Sequence, residues 1–289
     1  MNSFKKIMLV LSVGVLIPIN AQKQEETFKK EVSIDNSPSE YELIAKNING
    51  PITVIGYEGN SVQVTVKKII KADDQEDVDK GMEELTYKLE KEANRIVLYP
   101  DAPYIQYKED KKWGLQMNRC NNDGPDYDFY AEYTIRMPRK MKLSVSTINR
   151  GDIEVSNIQT STLDVNNING AITLNKVSGQ STIRTINGNI DVVYVKNPGE
   201  KSSYSTINGK ITLHCLDNLG ADVSFESMHG DFYTDFDVTE VVSNTTKSTK
   251  SGKRNVAYVI KTKPVMKIGN GGTVYDFKTL NGDVYIKRI

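Results

Sequence analysis

Cysteine, histidine and tryptophan, which supply many catalytic and metal-binding sites, are scarce in this chain. Its 289 residues include two cysteines, two histidines and one tryptophan. Cys120 and Cys215 alone are too few for a structural zinc site, and the sequence leaves open whether they form a disulfide. A Gly-x-Ser-x-Gly motif for a nucleophilic serine is also missing. We therefore expect a protein that is not an enzyme and that holds no cofactor or metal.

The chain lacks a net charge, because it has 37 basic and 37 acidic residues. Proteins that bind nucleic acid need a basic surface to neutralise phosphates. Nothing in the overall charge balance supplies one, so we expect no nucleic-acid partner.

Long hydrophobic runs are missing except near the N-terminus, where Ile7–Ile17 follows two lysines and precedes a proline and Ala21. Basic, apolar and small residues in that order are typical of a secretory signal peptide, and the run is too short to span a membrane as a helix. We predict that residues 1–21 are a signal peptide. Residues 22–289 would then be exported, without a transmembrane segment, to the periplasm, the cell envelope or the cell surface.

One short motif, Ile-Asn-Gly-x-Ile with its close variants, is abundant. Between Asn149 and His229, consecutive copies follow one another at steps of roughly 20 residues, with His229 in the asparagine position of a degenerate copy. Repeats of this length are typical of a stacked array, in which each unit buries its apolar face against the next. The asparagine positions of the copies are Asn49, Asn149, Asn169, Asn187, Asn208 and Asn281.

The Asn-Gly pair could instead mark a β-hairpin, for which it is the strongest short signal. In a hairpin centred on Asn187-Gly188, however, Ile186 would fall on the polar face, and so would its counterpart in every copy. Apolar steps of two indicate straight strand, and steps of three indicate corners whose flanking residues both point inward. The sequence therefore predicts an all-β fold, namely a single parallel β-solenoid with one inserted amphipathic helix. The counterparts of Ile186 are Ile168, Ile207 and Leu280.

In such a solenoid the six asparagines would stack, and their amides could hydrogen-bond to one another along the axis. A catalytic role would require a general base or a metal beside them, and the motif contains neither. We therefore interpret the asparagines as a structural ladder, and His229 as a substitute within it.

The repeat is interrupted at about residues 72–130. Within this insertion, Asp73–Glu92 is acidic and has apolar residues at helical spacing, which predicts an amphipathic helix that caps an end of the solenoid. Strands are expected at Arg95–Tyr99 and at Tyr130–Met137. The apolar positions of the predicted helix are Val78, Met82, Leu85 and Leu89.

A second interruption, Ser243–Arg254, reads SNTTKSTKSGKR. Its serine, threonine and lysine content predicts an exposed loop inside the array.

The Ile-Asn-Gly repeats, the acidic segment after VQVTVKKIIKADD and the closing KTLNGDVYIKR resemble the bacterial "putative adhesin" family of unknown function. That family is similar to the head-GIN solenoids of Bacteroidetes. The resemblance covers about Tyr41 to Ile289, and it implies a β-solenoid in an envelope or periplasmic setting, with no catalytic residues to carry over. The sequence departs from the repeat at Arg150, inserted between Asn149 and Gly151, and at Met228-His229, and either departure could mark a bulge.

Two kinds of binding protein fit these observations. The first is an adhesin or binding scaffold for an envelope glycan or protein. Its contact residues would lie in the irregular segment Ala102–Asp126, because binding often resides in long loops on a rigid scaffold. We predict Tyr104, Tyr107 and Trp113 as these binding residues. The second is a periplasmic structural or regulatory protein whose partner is another envelope protein, and the sequence does not separate the two.

A polysaccharide-acting β-helix enzyme is the least supported alternative. It would need clustered acids for calcium and a basic residue to remove a proton. Acidic residues on different coils could cluster in this way, but each also fits the solvated side of a corner. These residues are Asp152, Asp191, Asp231 and Asp283.

Overall fold

The computed structural model of the protein describes residues 22–108, 114–117, 124–251 and 256–289, and for residues 240–264 it describes the backbone. The predicted signal peptide, Trp113 and Cys120 lie outside the described residues. The Cys215 thiol is free, and burial raises its pKa to about 12.

The described chain is all-β apart from one α-helix, α1 (Gln75–Glu84), and a short 3-10 helix (Pro38–Glu40). The strands are β1 (Gln22–Ser33), β2 (Glu42–Lys46), β3 (Ile52–Tyr57), β4 (Ser61–Ala72), β5 (Thr86–Glu92), β6 (Arg95–Asp101), β7 (Ile105–Tyr107), β8 (Leu115–Met117), β9 (Asp128–Pro138), β10 (Lys142–Thr147), β11 (Ile153–Ser156), β12 (Gln159–Asn167), β13 (Ile172–Arg184), β14 (Ile190–Tyr194), β15 (Ser202–Ser205), β16 (Ile211–Cys215), β17 (Ala221–Glu226), β18 (Phe232–Thr234), β19 (Val238–Ser251), β20 (Val256–Ile268), β21 (Thr273–Lys278) and β22 (Val284–Arg288).

Strands of the repeat pair in parallel and in register with equivalent strands of neighbouring copies. One series, the first ladder, runs β9–β3–β11–β13–β14–β16–β22–β18. The other, the second ladder, runs β6–β2–β10–β12–β13–β15–β21–β17. The two halves of β13 belong to different ladders, so this one strand passes from the first ladder to the second.

The core lies between the two ladders. Because side chains alternate along a strand, every second residue points inward. Ile172 and Leu174 from the first ladder, and Val165 and Ile183 from the second, are fully buried. Towards the C-terminal copies the inward positions of the second ladder become aromatic, and one continuous core extends through all copies. These aromatic residues are Tyr204, Tyr275 and Phe277.

Antiparallel strands flank both ends of the parallel ladders, so the sheet is mixed. At one end, β4 pairs with β9 and β1, and β5 pairs with β6; at the other end, β20 pairs with β17 and β19. The predicted all-β class is confirmed, but these pairings depart from a uniformly parallel array. The physical reason is that the terminal strands of a stack expose unpaired N–H and C=O groups, which the antiparallel strands satisfy.

The copies do not stack in the order of the sequence. Asn281 forms parallel bridges with both Asn208 and His229, so the last copy lies between its two predecessors. Accordingly, β21 pairs with β15 on one side and β17 on the other. The expected direct stacking of the His229 copy on the Asn208 copy is therefore wrong. Between the Asn208 copy and the His229 copy the chain leaves room for one further copy. The C-terminal strands β21 and β22, which follow β19 and β20 in sequence, occupy that position.

The helix prediction over Asp73–Glu92 holds for its first half only. The carboxylate of Asp74 accepts a hydrogen bond from the Asp77 amide at 2.9 Å, and α1 then ends at Glu84. Leu89 instead lies in β5, where buried and exposed residues alternate with the period of a strand. Pairing with β6 determines this conformation, which the helical spacing of the apolar residues did not reveal.

Helix α1 packs on β4 and β1 beside the N-terminal end of the ladders. Val78 is fully buried there, and Gly81 lies so close to Ile70 and Tyr127 that an added Cβ would come within 2.8 Å of both. A glycine inside a helix costs about 1 kcal/mol, and here this close approach explains it.

The loop predicted at Ser243–Arg254 is wrong for its described part. Ser243–Ser251 belongs to β19 and pairs residue by residue with β20. Threonine favours strands, and a cross-strand partner overrides the loop-like composition of this segment. The segment Ala102–Asp126 is likewise not wholly irregular, because β7 and β8 form an antiparallel hairpin within it. The strands expected at Arg95–Tyr99 and Tyr130–Met137 are confirmed as β6 and β9.

Candidate functional site

The Asn-Gly copies form corners between the second ladder and the first, and a threonine two residues before the asparagine holds most of them. In the Asn49 and Asn169 copies, Asn47 and Asn167 stand at that position and donate from Nδ2 to the carbonyls of Gly50 and Gly151. The side chain of Thr185 is buried, and its hydroxyl donates to the carbonyl of Gly170 in the neighbouring copy at 2.9 Å. Thr206 donates to the carbonyl of Gly188 at 3.0 Å in the same way. These bonds satisfy corner carbonyls that would otherwise be buried without a partner.

The threonine, or Asn167 in the Asn169 copy, occupies the inward position that the sequence assigned to the isoleucine after it. Ile207 is 41% exposed and Leu280 is 38% exposed, while Ile168 and Ile186 are partly exposed. The prediction that these residues point inward is therefore wrong. The corner needs a hydroxyl or side-chain amide donor inside it, and the alternation of side chains then turns the next residue outward.

Asparagine amides form a continuous hydrogen-bonded row along the outside of the corners. The Nδ2 of Asn169 donates to the Oδ1 of Asn149 at 2.8 Å, and the same 2.8 Å bond links each following pair of stacked copies. Asn49 is bridged to Asn149 through the backbone, but no side-chain bond joins it to the row. His229 is bridged to Asn281 through the backbone. The members of the row are Asn149, Asn169, Asn187, Asn208 and Asn281.

We expect Asn187→Ala to reduce the free energy of unfolding by about 1–2 kcal/mol, because its amide bonds both neighbours in the row. Asn49→Ala should cost clearly less, because that side chain lies outside the row. Urea denaturation of both variants measures the difference. Equal losses would contradict a structural role for the row.

The acidic residues considered as a calcium cluster serve separate corners. The carboxylate of Asp152 accepts from the Ala171 amide at 2.8 Å, and that of Asp283 accepts from the Asp231 amide at 2.9 Å. Asp191 lies 3.7 Å from the Nε2 of His214. Among the described residues, no group of three or more histidine, cysteine, aspartate or glutamate side chains is arranged to hold a metal ion.

The structure places Tyr104 and Tyr107 apart from each other, and both contact the rest of the protein. The Tyr104 hydroxyl is 2.9 Å from that of Tyr127, and burial raises the pKa of Tyr104 to about 12. The Tyr107 ring stacks on Tyr99 with centroids 4.7 Å apart, within a small apolar cluster between the β7–β8 hairpin and the outer side of β2 and β6. Each ring is partly exposed.

A surface cleft that was not predicted from the sequence lies where Arg150 interrupts the repeat; we call it the Arg150 cleft. One hollow of about 300 Å³ is lined by Lys23, Lys71, Asp128, Tyr130 and Arg150, together with Ile69 and Phe129. A more open hollow of about 600 Å³ adjoins it, shares Tyr130 and Arg150, and continues along Pro51, Thr53, Gly151, Asp152, Glu154 and Asn169. The strands β1, β4, β9, β3 and β11 contribute some of these residues, and the corners contribute the others, namely Pro51, Arg150, Gly151, Asp152 and Asn169.

The backbone at the insertion explains how Arg150 reaches the cleft. Arg150 adopts a positive φ of 58°, an uncommon conformation for a residue with a side chain, and its guanidinium forms an ion pair with Asp128. Both side chains remain about half exposed. Burial, and then the nearby carboxylates of Glu132 and Asp152, raise the pKa of Tyr130, so its ring remains neutral.

The cleft combines an aromatic ring, guanidinium, ammonium, carboxylate and amide groups on one concave surface. This mixture can hydrogen-bond a polar ligand in several directions and pack an apolar face against the ring. The insertion of Arg150 into the motif was the available sequence signal for it. The remaining lining residues come from strands far apart in sequence, so no local pattern could have grouped them.

The helices of the described chain are short. None of its helices has both the length and the apolar character that a membrane-spanning helix needs.

The fold and the corner repeat define an all-β repeat protein with a surface cleft, and comparison with known families agrees. The family model "Toastrack DUF4097" matches residues 140–287, which is more than half of the chain. The chain therefore belongs to the Toastrack DUF4097 family, and the resemblance stated from its motifs is confirmed. No curated protein matches it.

Solved structures with some likeness include a "putative cell adhesion protein" from Clostridium sporogenes, at 12% identity and a TM-score of 0.42, with 91% of this chain and 100% of that chain covered. A "putative adhesin" from Bacteroides fragilis has 10% identity and a TM-score of 0.36, with 91% and 97% covered. A "putative lipid binding protein" from Parabacteroides distasonis has 11% identity and a TM-score of 0.22, with 91% and 96% covered. At these TM-scores the likenesses carry no argument about function.

Proposed function

We propose that residues 22–289 form one exported, non-enzymatic binding scaffold of the cell envelope, and that the Arg150 cleft binds its partner. The single observation that carries the proposal is the cleft itself, where an inserted arginine and a tyrosine face a concave surface beside regular corners. A glycan or a polar surface of an envelope protein would match these groups. The signal-like order of basic, apolar and small residues in residues 1–21 supports export.

We further propose that the scaffold is a parallel β-solenoid, with the antiparallel strands as additions at its ends. The in-register pairing of Ile153 with Ile172, of Ile172 with Ile190 and of Ile190 with Ile211 supports one strand of the first ladder per copy. A stack of this kind tolerates the loss of a whole copy, since each copy contacts only its neighbours.

Excision of residues 170–187 is therefore expected to leave a folded protein. It joins Asn169 to Gly188, restores the motif, and removes one strand segment from each ladder. Circular dichroism should keep its strand signal, and thermal unfolding should stay cooperative. An aggregated or unfolded product would contradict the solenoid.

The binding proposal is tested with Arg150→Asn and Tyr130→Thr in the protein without residues 1–21. Asparagine tolerates a positive φ, and threonine favours strands, so both variants should fold normally. We expect each to weaken binding to envelope glycans on an array, or to a partner purified from envelope extract, by about 30-fold or more, as a central interface residue does. Their melting temperatures should match that of the parent protein.

Tyr107→Ala is the matched comparison, because Tyr104, Tyr107 and Trp113 remain a second proposed binding surface. Loss of binding in Tyr107→Ala with unchanged stability would move the site to the β7–β8 segment. Retained binding in the two cleft variants would refute the cleft. N-terminal sequencing of the protein from an envelope fraction tests export, with Gln22 as the expected first residue.

A further inference from the structure

The two ladders have four terminal strands, and three of them are covered by antiparallel strands. Strand β9 pairs with β4, β6 pairs with β5, and β17 pairs with β20. The fourth terminal strand is β18, and among the described residues it pairs with β22 alone. Within the described chain, one edge of the first ladder is therefore open.

The backbone of β18 presents hydrogen-bonding groups to this open edge. The Asp231 carbonyl and the Asp235 amide are hydrogen-bonded to residues of β22, at 2.9 and 3.1 Å respectively. Successive residues of a strand direct their backbone groups to opposite edges, so the N–H and C=O groups of Phe232 and Thr234 point to the open edge. These groups are placed to pair with an added strand.

The side chains of β18 alternate between the core and solvent. Phe232 packs on Phe225 and Phe277 at the end of the core, with ring centroids 5.9 and 6.4 Å from theirs, and is still partly exposed. Tyr233 points outward, stacks on Tyr285 at 4.9 Å between centroids and remains 46% exposed. An added strand would therefore cover the core with apolar residues at every second position and place the others beside Tyr233.

The outward tyrosine stack attracts cations. The ammonium groups of Lys210 and Lys287 lie 5.6 and 5.8 Å from the centroid of the Tyr285 ring. Tyr233 is the last ring of this stack, so a lysine or arginine of an added strand can approach its ring in the same way.

The charge of the edge determines which strand it can accept. Residues 231–237 contain three aspartates and no basic residue, and all three aspartates are exposed. By strand alternation, Asp231 and Asp235 lie on the same outward face as Tyr233. The residues of an added strand that face outward would therefore meet carboxylates on both sides of an aromatic ring.

We propose that the open edge of β18 binds a basic, extended segment of another protein, which adds to the first ladder as a further strand. Its lysine or arginine residues face the aspartates and Tyr233, and its apolar residues cover Phe232. A second copy of the chain is disfavoured as the occupant, because pairing of two β18 edges would bring their aspartates together. The β18 edge lies at the opposite end of the first ladder from β9 and the Arg150 cleft, so it is separate from the proposed binding site.

The probe is the synthetic peptide KVRVKVK, blocked at both ends and fluorescently labelled, and its binding to residues 22–289 is measured by fluorescence anisotropy. The same peptide with every backbone nitrogen methylated should lose binding, because it keeps the side chains but has no N–H to pair with β18. The acidic peptide EVEVEVE should bind at least about tenfold more weakly.

Thr234→Pro removes one N–H from the open edge, a position where an edge strand tolerates proline. It should weaken binding of the basic peptide by about tenfold or more. Thr234→Val is the matched control, because it keeps the N–H but also lacks the hydroxyl that accepts from the Phe236 amide. This control should bind the peptide as the parent protein does.

Asp231→Asn combined with Asp235→Asn should weaken binding by about tenfold, or roughly threefold for each charge removed. Asparagine keeps an acceptor for the Arg288 amide, which donates to the Asp235 carboxylate at 3.2 Å. The control D73N/D79N changes the net charge equally, at two exposed residues beside and within α1, and should bind as the parent does.

The proposal is overturned if the parent protein does not bind the basic peptide, or if the methylated or the acidic peptide binds equally well. It is also overturned if Thr234→Pro binds like Thr234→Val, or if the two aspartate variants bind alike. A dimer of the parent protein that Thr234→Pro abolishes would overturn it in favour of a second copy. Circular dichroism checks the fold of each variant, and the comparison of peptides on the parent protein depends on no variant.

Discussion

Gly209→Ala is expected to reduce the free energy of unfolding by about 3–5 kcal/mol, one of the largest effects of any single substitution in this protein. Gly209 lies at a corner with a φ of +154°, a conformation that residues with a side chain rarely adopt. A Cβ there would lie 2.0 Å from the carbonyl oxygen of Gly188 in the adjacent copy. That oxygen belongs to the backbone and accepts the Thr206 hydroxyl, so it cannot move without breaking the corner.

Substitutions at two other glycines distinguish the positive φ from the close backbone contact as the cause of this loss of stability. At Gly188 the Cβ would lie 2.1 Å from the carbonyl oxygen of Gly170, but no positive φ adds to the clash. A comparable loss in Gly188→Ala would show that close stacking of the corners dominates. Gly199→Ala, where nothing lies within 4 Å of an added Cβ, should change stability little. Guanidinium denaturation of the three variants makes the comparison, and a small effect at Gly209 would contradict tight stacking.

Tyr204→Ala is expected to cost about 4 kcal/mol, the usual range for removing a large aromatic side chain from a core. Tyr204 is fully buried, its ring stacks on Phe277 at 5.1 Å between centroids, and it meets Tyr275 edge-on at 6.3 Å. These three rings come from β15 and β21, which only the intercalated last copy brings together. The variant should therefore loosen the C-terminal strands in particular.

Tyr204→Phe is the matched control, and it should cost about 1 kcal/mol. The Tyr194 hydroxyl donates its one hydrogen to Ser181 at 2.8 Å, so Tyr204 is the donor in the 2.7 Å bond between the two tyrosine hydroxyls. Removing the Tyr204 hydroxyl leaves Tyr194 with Ser181 as a partner. Hydrogen exchange of β21 and β22 measures the local effect, and equal losses in the two variants would show that the hydroxyl, not the ring, stabilises the region.

The repeat could be recognised from sequence because its information is local. Each copy contains its own corner glycine, its asparagine and its inward aliphatic residues, such as Ile172 and Leu174. The direction of the corner side chains could not be predicted in the same way. Whether Thr206 or Ile207 points inward depends on the Gly188 carbonyl, which belongs to another copy and needs a donor.

The segments between the copies also could not be predicted from local sequence, because their conformation depends on strands elsewhere in the chain. Leu89 has the spacing of a helix residue with respect to Val78, Met82 and Leu85, yet its strand conformation comes from pairing with β6. Ser243–Ser251 has the composition of a loop and becomes a strand because β20 lies beside it. The Arg150 cleft could be foreseen only as an irregularity at one position, since Lys71, Tyr130 and Asn169 come from separate parts of the chain.

The sequence by itself determined the all-β class, the corner motif and the family, because periodic burial and glycine conformation depend on neighbouring residues. Only the tertiary structure decided which copies touch. It placed the Asn281 copy between those of Asn208 and His229, ended α1 at Glu84, and formed the Arg150 cleft. The physical reason is that a strand edge can pair with any other free edge of suitable register. Which edge it meets depends on the path of the whole chain and not on the residues of the strand alone.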